Sequence, residues 1–139
     1  MHDSRLIFNE DERIANLVKE RMPNFLGWNG HYRAVGYELR GRLGGGVVYT
    51  QHSGANIVVA TVLEAPLTRG FLRSIFFYPF CQLECRRMTA LVENLKSQRL
   101  IEHVGFRLEG RMREAAFDND VLVYGLLKRE ARKWLPVNA

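Results

Sequence analysis

The stretch ENLKSQRLIEHVGFRLEGRMRE, residues 93–114, combines a helix start, one apolar helical stripe, a terminating glycine and the beginning of a strand. Asn94 suits the cap of this helix, and Gly105 suits the left-handed position that closes one. Asn94, Ser97 and Ile101 are separated by three and then four residues, so they share one helix face. This face is either an ordinary capped surface or a set of polar groups directed at a ligand, and the spacing alone leaves both readings open.

The segments on either side of this stretch predict a mixed α/β fold. Helices are predicted over about residues 10–22, with Asn9 as the cap, and after Thr68, where Pro79 must kink or end the second helix. Val- and Tyr-rich segments predict an antiparallel meander of three strands between Arg33 and Leu63. The remaining strands are predicted over residues 85–92, 107–117 and 121–128.

The composition is that of an ordinary globular protein. Of the 139 residues, 47% are hydrophobic and 25% are charged, which predicts a single domain over residues 1–139. No apolar run approaches the roughly 20 residues that span a bilayer, and the polar, acidic start of the chain is unlike a targeting peptide. We therefore expect a soluble, cytoplasmic protein that does not bind membranes.

The net charge of +5 favours an anionic ligand. Sixteen of the twenty basic residues are arginine, whose planar guanidinium donates two parallel hydrogen bonds to phosphate or carboxylate. The basic residues are scattered, and no platform of aromatic and basic side chains of the RNA-binding kind is present. A nucleic-acid partner is therefore the weaker explanation of the charge.

Two motifs that resemble ligand sites have simpler interpretations. Cys81 and Cys85 lie four apart, but no second His or Cys pair completes a zinc site, so two reduced thiols and no metal are predicted. The run from Gly44 to Gly46 lacks the Lys-Ser/Thr of a phosphate-binding loop and leads into a strand. A bulge in a hairpin is the better prediction.

The loop from Glu64 to Gly70 is a better candidate for an anion site. It leads into a helix whose first turn offers N–H groups from Arg69 to Leu72 at the positive end of the helix dipole. Arg69 and Arg73 lie four apart on one helix face and add positive charge. An ordinary capped helix with two solvated arginines fits the same pattern.

Three segments together resemble the GNAT family of N-acetyltransferases. They are the helix motif of the opening stretch, the segment TRGFLRSIFFYPFCQLECRRMTA from residue 68, and the segment VLVYGLLKRE from residue 121. The chain is most similar to the branch that acetylates ribosomal-protein N-termini and to its phage-encoded relatives, with a matching order of elements from about residue 8 to residue 130. In the helix motif, the residues that carry the resemblance are Asn94, Ser97, His103, Gly105, Phe106, Glu109 and Gly110.

The resemblance implies a central, mostly antiparallel twisted sheet, flanked by three to four helices, in which two neighbouring strands splay apart. Acetyl-CoA would lie in the gap, with its pantetheine arm along residues 57–63 and its pyrophosphate on the helix that follows Thr68. A backbone N–H near Val62 or Leu63 would polarise the thioester carbonyl. The cofactor-binding residues that the resemblance implies are Val62, Leu63, Thr68, Arg69, Gly70, Phe71, Arg73, Asn94 and Ser97.

The resemblance also implies an activity, the direct transfer of an acetyl group to an amine of a small molecule or a protein. Glu64 is the first candidate for the base, acting through water, although an exposed loop acid explains it equally well. Two departures from the family favour an alternative, a non-catalytic module that binds CoA or a macromolecular partner. The Gly-rich pyrophosphate loop is replaced by the segment from Pro66 to Gly70, and Ile101 occupies the position of the usual acidic Tyr. A homodimer is a further expectation.

Overall fold

The computed structural model describes residues 4–22, 31–63, 68–93 and 95–136. Within these ranges it contains three α-helices and seven β-strands. In chain order they are β1 (Ser4–Ile7), α1 (Asp11–Arg21), β2 (Tyr32–Leu39), β3 (Arg42–Thr50), β4 (Asn56–Leu63), α2 (Arg69–Phe77), β5 (Arg87–Val92), α3 (Leu95–His103), β6 (Arg107–Met112) and β7 (Val121–Leu127). A π-helical turn, Tyr78–Gln82, extends α2, and two 3-10 turns, Lys128–Glu130 and Arg132–Trp134, follow β7.

The seven strands form one sheet in the order β1-β2-β3-β4-β5-β7-β6. Neighbouring strands are antiparallel except β4 and β5, which run parallel. The mixed α/β fold with a mostly antiparallel sheet is therefore confirmed. The predicted meander is confirmed as β2, β3 and β4, and Pro79 lies in the π-helical turn directly after α2, as its missing N–H requires.

One strand was not predicted, and another was predicted too long. The pattern did not reveal β1, because it has four residues and only Ile7 is buried, so no alternation of apolar and polar residues is visible. Strand β6 ends at Met112 and does not continue to Phe117. The side chain of Phe117 is fully exposed in the connection to β7, so its apolar character does not mark a buried strand.

The cap of α1 also differs from the prediction. Asn9 adopts a left-handed φ of 62°, and the helix begins after Glu10, which makes no side-chain cap hydrogen bond. The first-turn acid instead contacts the sheet, since Oδ1 of Asp11 accepts a hydrogen bond of 3.0 Å from the backbone N–H of Ala34. Asp11 thereby fixes the start of α1 to the edge of β2.

Helix α1 covers one face of the sheet, and α2 and α3 cover the other. Ile14 of α1 is fully buried and lies directly over Gly36 and Gly46, where a Cβ atom would collide with it. The β2–β3 register changes between Tyr37 and the next residue and leaves Gly44 without a partner, so the predicted bulge is confirmed. Glycine thus permits both the close helix contact and the bulge.

Neither a membrane span nor a metal cluster is found in the described part of the chain. None of its helices has the length and apolarity that crossing a membrane requires. No group of three His, Cys, Asp or Glu side chains within those ranges is placed to hold a metal ion. Cys81 is half-buried and Cys85 is buried, and burial raises the pKa of the Cys85 thiol.

Glu38 joins three elements near the sheet edge. Its carboxylate accepts a hydrogen bond of 2.8 Å from Nη2 of Arg13 on α1 and lies 3.1 Å from Nη2 of Arg5 on β1. The hydrogen bond from Arg13, with the charge of both arginines, lowers the pKa of Glu38 below its ordinary value of 4.5. Protonation of Glu38 at low pH would remove these interactions, so this carboxylate makes the stability of the fold sensitive to acid.

We expect the Glu38→Gln variant to lose part of the acid sensitivity of the fold. A lowered folded-state pKa stabilises the protein above the unfolded pKa, and this contribution disappears as the pH falls below about 4.5 through the folded value. The melting temperature of the wild type should therefore exceed that of the variant at pH 7, and the two should converge at low pH. A matched variant, Glu20→Gln at an exposed position of α1, should follow the wild type. A constant difference at every pH would contradict the prediction.

Candidate functional site

Strands β4 and β5 separate halfway along their length. Their ladder runs from the Asn56–Arg87 pair to the Val59–Ala90 pair, whereas β4 continues to Leu63 and β5 continues to Val92. On its other edge β4 remains paired with β3 as far as Leu63. Within the described residues, the last four residues of β4 therefore have no strand partner on the β5 side. The splayed strand pair is confirmed, and it offers backbone donors and acceptors to an extended ligand.

The start of α2 lies just beyond the splayed end of β4 along the chain. Thr68 is extended, and its Oγ1 accepts a hydrogen bond of 3.1 Å from the N–H of Phe71, which confirms Thr68 as the cap. The N–H of Leu72 donates to the carbonyl of Thr68 at 3.1 Å. Among the described residues, only the N–H groups of Arg69 and Gly70 lack an acceptor in this turn. The prediction of four free N–H groups is therefore wrong, because the cap and the first helical hydrogen bond use two of them.

The side chains at this helix start are open to solvent. Arg69 and Gly70 are exposed, and a Cβ atom on Gly70 would meet nothing closer than Oγ1 of Thr68, at 4.0 Å. As far as the described residues extend, an anion can thus approach the two free N–H groups without steric hindrance. Phe71 is fully buried in the core and its N–H donates to Thr68, so it offers neither its ring nor a free donor to this surface.

Three of the predicted site residues lie wholly or partly outside the described structure. Glu64 and Asn94 lie outside the described residues, and only the backbone of Leu63 is described. Val62 is buried in the core beneath α1, so only its backbone can face the gap. Ser97 is half-buried on α3, and the spacing of four residues puts it on the same face as Ile101, one turn nearer the helix start.

Solved structures of acetyltransferases share this architecture. A point mutant of the spermidine N-acetyltransferase SpeG from Vibrio cholerae matches 95% of this chain and 96% of its own, with 17% identity and a TM-score of 0.70. A protein from T. thermophilus described as an acetyltransferase matches over 96% and 90%, with 17% identity and a TM-score of 0.70. YncA from Salmonella typhimurium, described as an acetyltransferase and solved with its cofactor acetyl-CoA, matches over 90% and 94%, with 15% identity and a TM-score of 0.64.

The chain has the GNAT fold of these acetyltransferases. No protein-family model matches the sequence, and no curated protein is similar to it. At identities of 15–17% the comparison establishes the fold, and the function has to be argued from the residues of the site.

A small apolar cavity lies beside the point where β4 and β5 separate. Ten side chains from β4, β5, α2, α3 and the turn between α3 and β6 surround about 20 Å³. Thr61 is the single polar member of this set, and it was not among the site residues predicted from the sequence. The available signal was its spacing, since Ile57, Val59 and Thr61 alternate onto one face of the strand.

Ile101, at the position where the resemblance implies a Tyr that acts as general acid, lies in an apolar environment. Ile101 is 6% exposed and lines the same cavity as Thr61 and Leu72. Ile101 therefore helps to close the core behind the splay and cannot donate a proton.

Two tyrosine hydroxyls on this side of the sheet already have partners. Tyr124 is fully buried, and its Oη donates a hydrogen bond of 2.6 Å to Oε2 of Glu102 on α3. Burial, and then this carboxylate, raise the pKa of Tyr124. Tyr49 is likewise buried, donates to the carbonyl of Ile75 at 2.7 Å, and has its pKa raised well above the ordinary value by burial. Both therefore support the core.

Proposed function

We propose that this protein is an acetyl-CoA-dependent N-acetyltransferase, a single GNAT domain over residues 1–139 that transfers an acetyl group directly to an amine. The observation that carries the proposal is the separation of β4 from β5 beyond the Val59–Ala90 pair, next to a helix start with two accessible N–H groups. An extended, phosphate-bearing ligand suits that combination. Its extended arm can pair with the free edge of β4, and its phosphate can accept hydrogen bonds from the N–H groups at the helix start.

The described residues fit acetyl-CoA, which supplies the activated acetyl thioester when bound. The unpaired backbone of residues 60–63 would bind the pantetheine arm as an additional strand. The N–H groups of Arg69 and Gly70, with the guanidinium of Arg69, would bind the pyrophosphate. Asn94 and Ser97 at the start of α3 would hydrogen-bond the arm from the opposite side.

The chemistry requires one bond to form and one to break. The amine nitrogen attacks the thioester carbon, the C–N bond forms, the C–S bond breaks, and the thiolate leaves with the electron pair. A backbone N–H near Val62 or Leu63 would stabilise the charge on the carbonyl oxygen, and Glu64, through water, would accept the proton of the amine.

The loss of the usual Tyr does not prevent this reaction. The thiol of a Cys side chain has a pKa of about 8.5, far below that of water, so a thiolate is a stable leaving group that can take its proton from solvent. Ile101 is therefore compatible with acetyl transfer. The acid step is assigned to solvent.

The acceptor is proposed only by class, as an amine of a small molecule or a protein. SpeG is a spermidine acetyltransferase by name, whereas this chain carries a net charge of +5, which weakens binding of a polycation at long range. We propose that the chain is nearest to the branch that modifies ribosomal-protein N-termini and to its phage-encoded relatives. A cytoplasmic homodimer is the proposed form, and SpeG itself is solved as a dodecamer.

The second candidate function is a non-catalytic module that binds CoA or a macromolecular partner. Two observations favour it, namely the apolar Ile101 in the position of the acid and the reduction of the pyrophosphate site to two free N–H groups. Binding and turnover experiments separate it from the enzyme, because the module binds the cofactor without releasing a thiol.

Thermal unfolding with acetyl-CoA tests the proposal. At about 100 times its dissociation constant the cofactor should stabilise the fold by about 2.7 kcal/mol, and amines should then release free thiol. The Asn94→Ala, Ser97→Ala double variant should bind CoA at least about tenfold more weakly, whereas Ser53→Ala, in the exposed turn before β4, should bind normally. No stabilisation by acetyl-CoA or CoA would refute the proposal. Stabilisation without thiol release across an amine panel would favour the module.

A further inference from the structure

A second, larger cavity opens at the other flank of α2. We call it the edge groove, a space of about 780 Å³ between the part of the β2 edge that β1 leaves unpaired, the outer side of α2 and the 3-10 turn Arg132–Trp134. Its volume lies in the range typical of small-molecule sites. No residue that lines it also lines the cavity beside the splay. The two spaces are separate, because Leu72 and Phe76 face α3 whereas Ser74 and Phe77 face the edge groove.

The wall of the edge groove contains a fixed aromatic platform. Nε1 of Trp134 donates a hydrogen bond of 3.3 Å to the carbonyl of Val104, and the indole stacks on Phe76 with ring centres 6.0 Å apart. These contacts set the orientation of the ring before any ligand arrives. Phe8 and Phe77 also line the groove, and both are exposed, at 51% and 41%. Large aromatic side chains exposed together at a concave surface indicate a binding site.

The charge at the rim is positive. Arg33, Arg73 and Lys133 line the groove, against one carboxylate, Asp11. Asp11 is already engaged, because Oδ1 accepts from the N–H of Ala34 and Oδ2 lies 3.7 Å from Nη1 of Arg33. Arg73 and Lys133 have no carboxylate partner among the described residues, and Nζ of Lys133 lies 5.0 Å from the centre of the Trp134 ring. Within the described ranges, both cations thus line an aromatic surface and neither is paired with a carboxylate.

The same edge does not suit an added peptide strand. Strand β1 covers β2 only as far as the Ile7–Gly36 pair. The next N–H that points outward, that of Ala34, is occupied by Asp11. An incoming strand would have to displace this hydrogen bond, which protects the edge. A small molecule that uses the rings and the two cations needs no such displacement.

From these features we infer that the edge groove binds a small aromatic anion. Its planar ring system would pack against Trp134 and Phe77, and its carboxylate or phosphate would pair with Arg73 and Lys133. The site is distinct from the cleft between β4 and β5, so the inference does not depend on the proposed acetyl transfer. Arg73, which the resemblance to acetyltransferases implied as a cofactor-binding residue, lines this groove.

The probe for this site is 1-naphthaleneacetate, compared with the uncharged 1-naphthaleneacetamide and with octanoate, which lacks the ring. Calorimetry gives the affinities, and the indole N–H signal of Trp134, isolated in a Trp28→Phe background, reports the location by NMR. The acetate should bind at least about tenfold more tightly than both controls, shift the Trp134 signal, and weaken as salt is raised.

Variants and competitors complete the test. The Arg73→Gln, Lys133→Gln double variant should lose at least about tenfold in affinity for 1-naphthaleneacetate, whereas Arg113→Gln, at an exposed position after β6, should not. Equal affinity for the acetamide, no shift of the Trp134 signal, or displacement of the probe by CoA would overturn the inference. Tighter binding of polyglutamate than of the aromatic acetate would overturn it too, in favour of an acidic macromolecule.

Discussion

Replacement of Gly46 by alanine should lower the free energy of unfolding by about 1–3 kcal/mol, the range typical of an overpacked core. A methyl group on Gly46 would overlap Cγ2 of Ile14. The side chain of Ile14 is fully buried between α1 and the sheet. Because Cγ2 branches directly from Cβ, the side chain cannot move this atom away from Gly46. The expected result is a displacement of α1 from the sheet, measured as a lower midpoint in urea and a lower melting temperature.

Two controls separate the clash from a general effect of alanine. Gly110→Ala adds the same methyl group on β6, where no atom lies within 4 Å, and should leave stability nearly unchanged. Ile14→Ala removes the clashing atom, so the double variant with Gly46→Ala should be more stable than the sum of the two single effects predicts. Additive effects would show that Gly46 and Ile14 do not collide.

The sequence was sufficient to predict the structure where interactions between residues close in the chain determine it. Thr68 caps its helix through an interaction over three residues, and the β2–β3–β4 meander is specified by strand propensity and tight turns. It was insufficient where contacts are remote. Asn9 is a residue type that often caps helices, but it does not cap α1. The start of α1 is fixed by the hydrogen bond from Ala34 of β2 to Asp11, and a local pattern cannot reveal a partner 23 residues away.

The candidate site was only partly accessible from sequence for the same reason. The last rung of the β4–β5 ladder joins Val59 to Ala90, and no local signal states where two strands 31 residues apart stop pairing. The resemblance to acetyltransferases implied the splay, whereas the residues alone did not. The edge groove was not predicted at all, because its walls come from both ends of the chain and from α2 between them.

The second large effect is expected at Thr61, whose side chain lies on the α2 and α3 side of β4, at the level where β4 and β5 have separated. Thr61→Phe should weaken acetyl-CoA binding on the order of a hundredfold, about 2.7 kcal/mol, because the ring would occupy the space that the pantetheine arm needs. Thr61 is half-buried, and the cavity beneath it holds only about 20 Å³, so a phenyl ring does not fit inward and we expect it to extend toward the gap between β4 and β5. The measurement is the rise in melting temperature with acetyl-CoA, compared with direct titration of CoA.

The matched variant is Thr61→Val, which conserves the shape of the side chain and should retain cofactor binding. If it also binds normally, the hydroxyl of Thr61 has no direct role and the loss in Thr61→Phe is steric. Thr61→Leu serves as the smaller obstruction should the phenyl ring impair folding, as judged by circular dichroism. A folded Thr61→Phe protein with the CoA affinity of the wild type would mean that the arm does not pass this face of β4. The cofactor site would then have to be sought outside the splay, because β4 and β5 separate nowhere else along their described lengths.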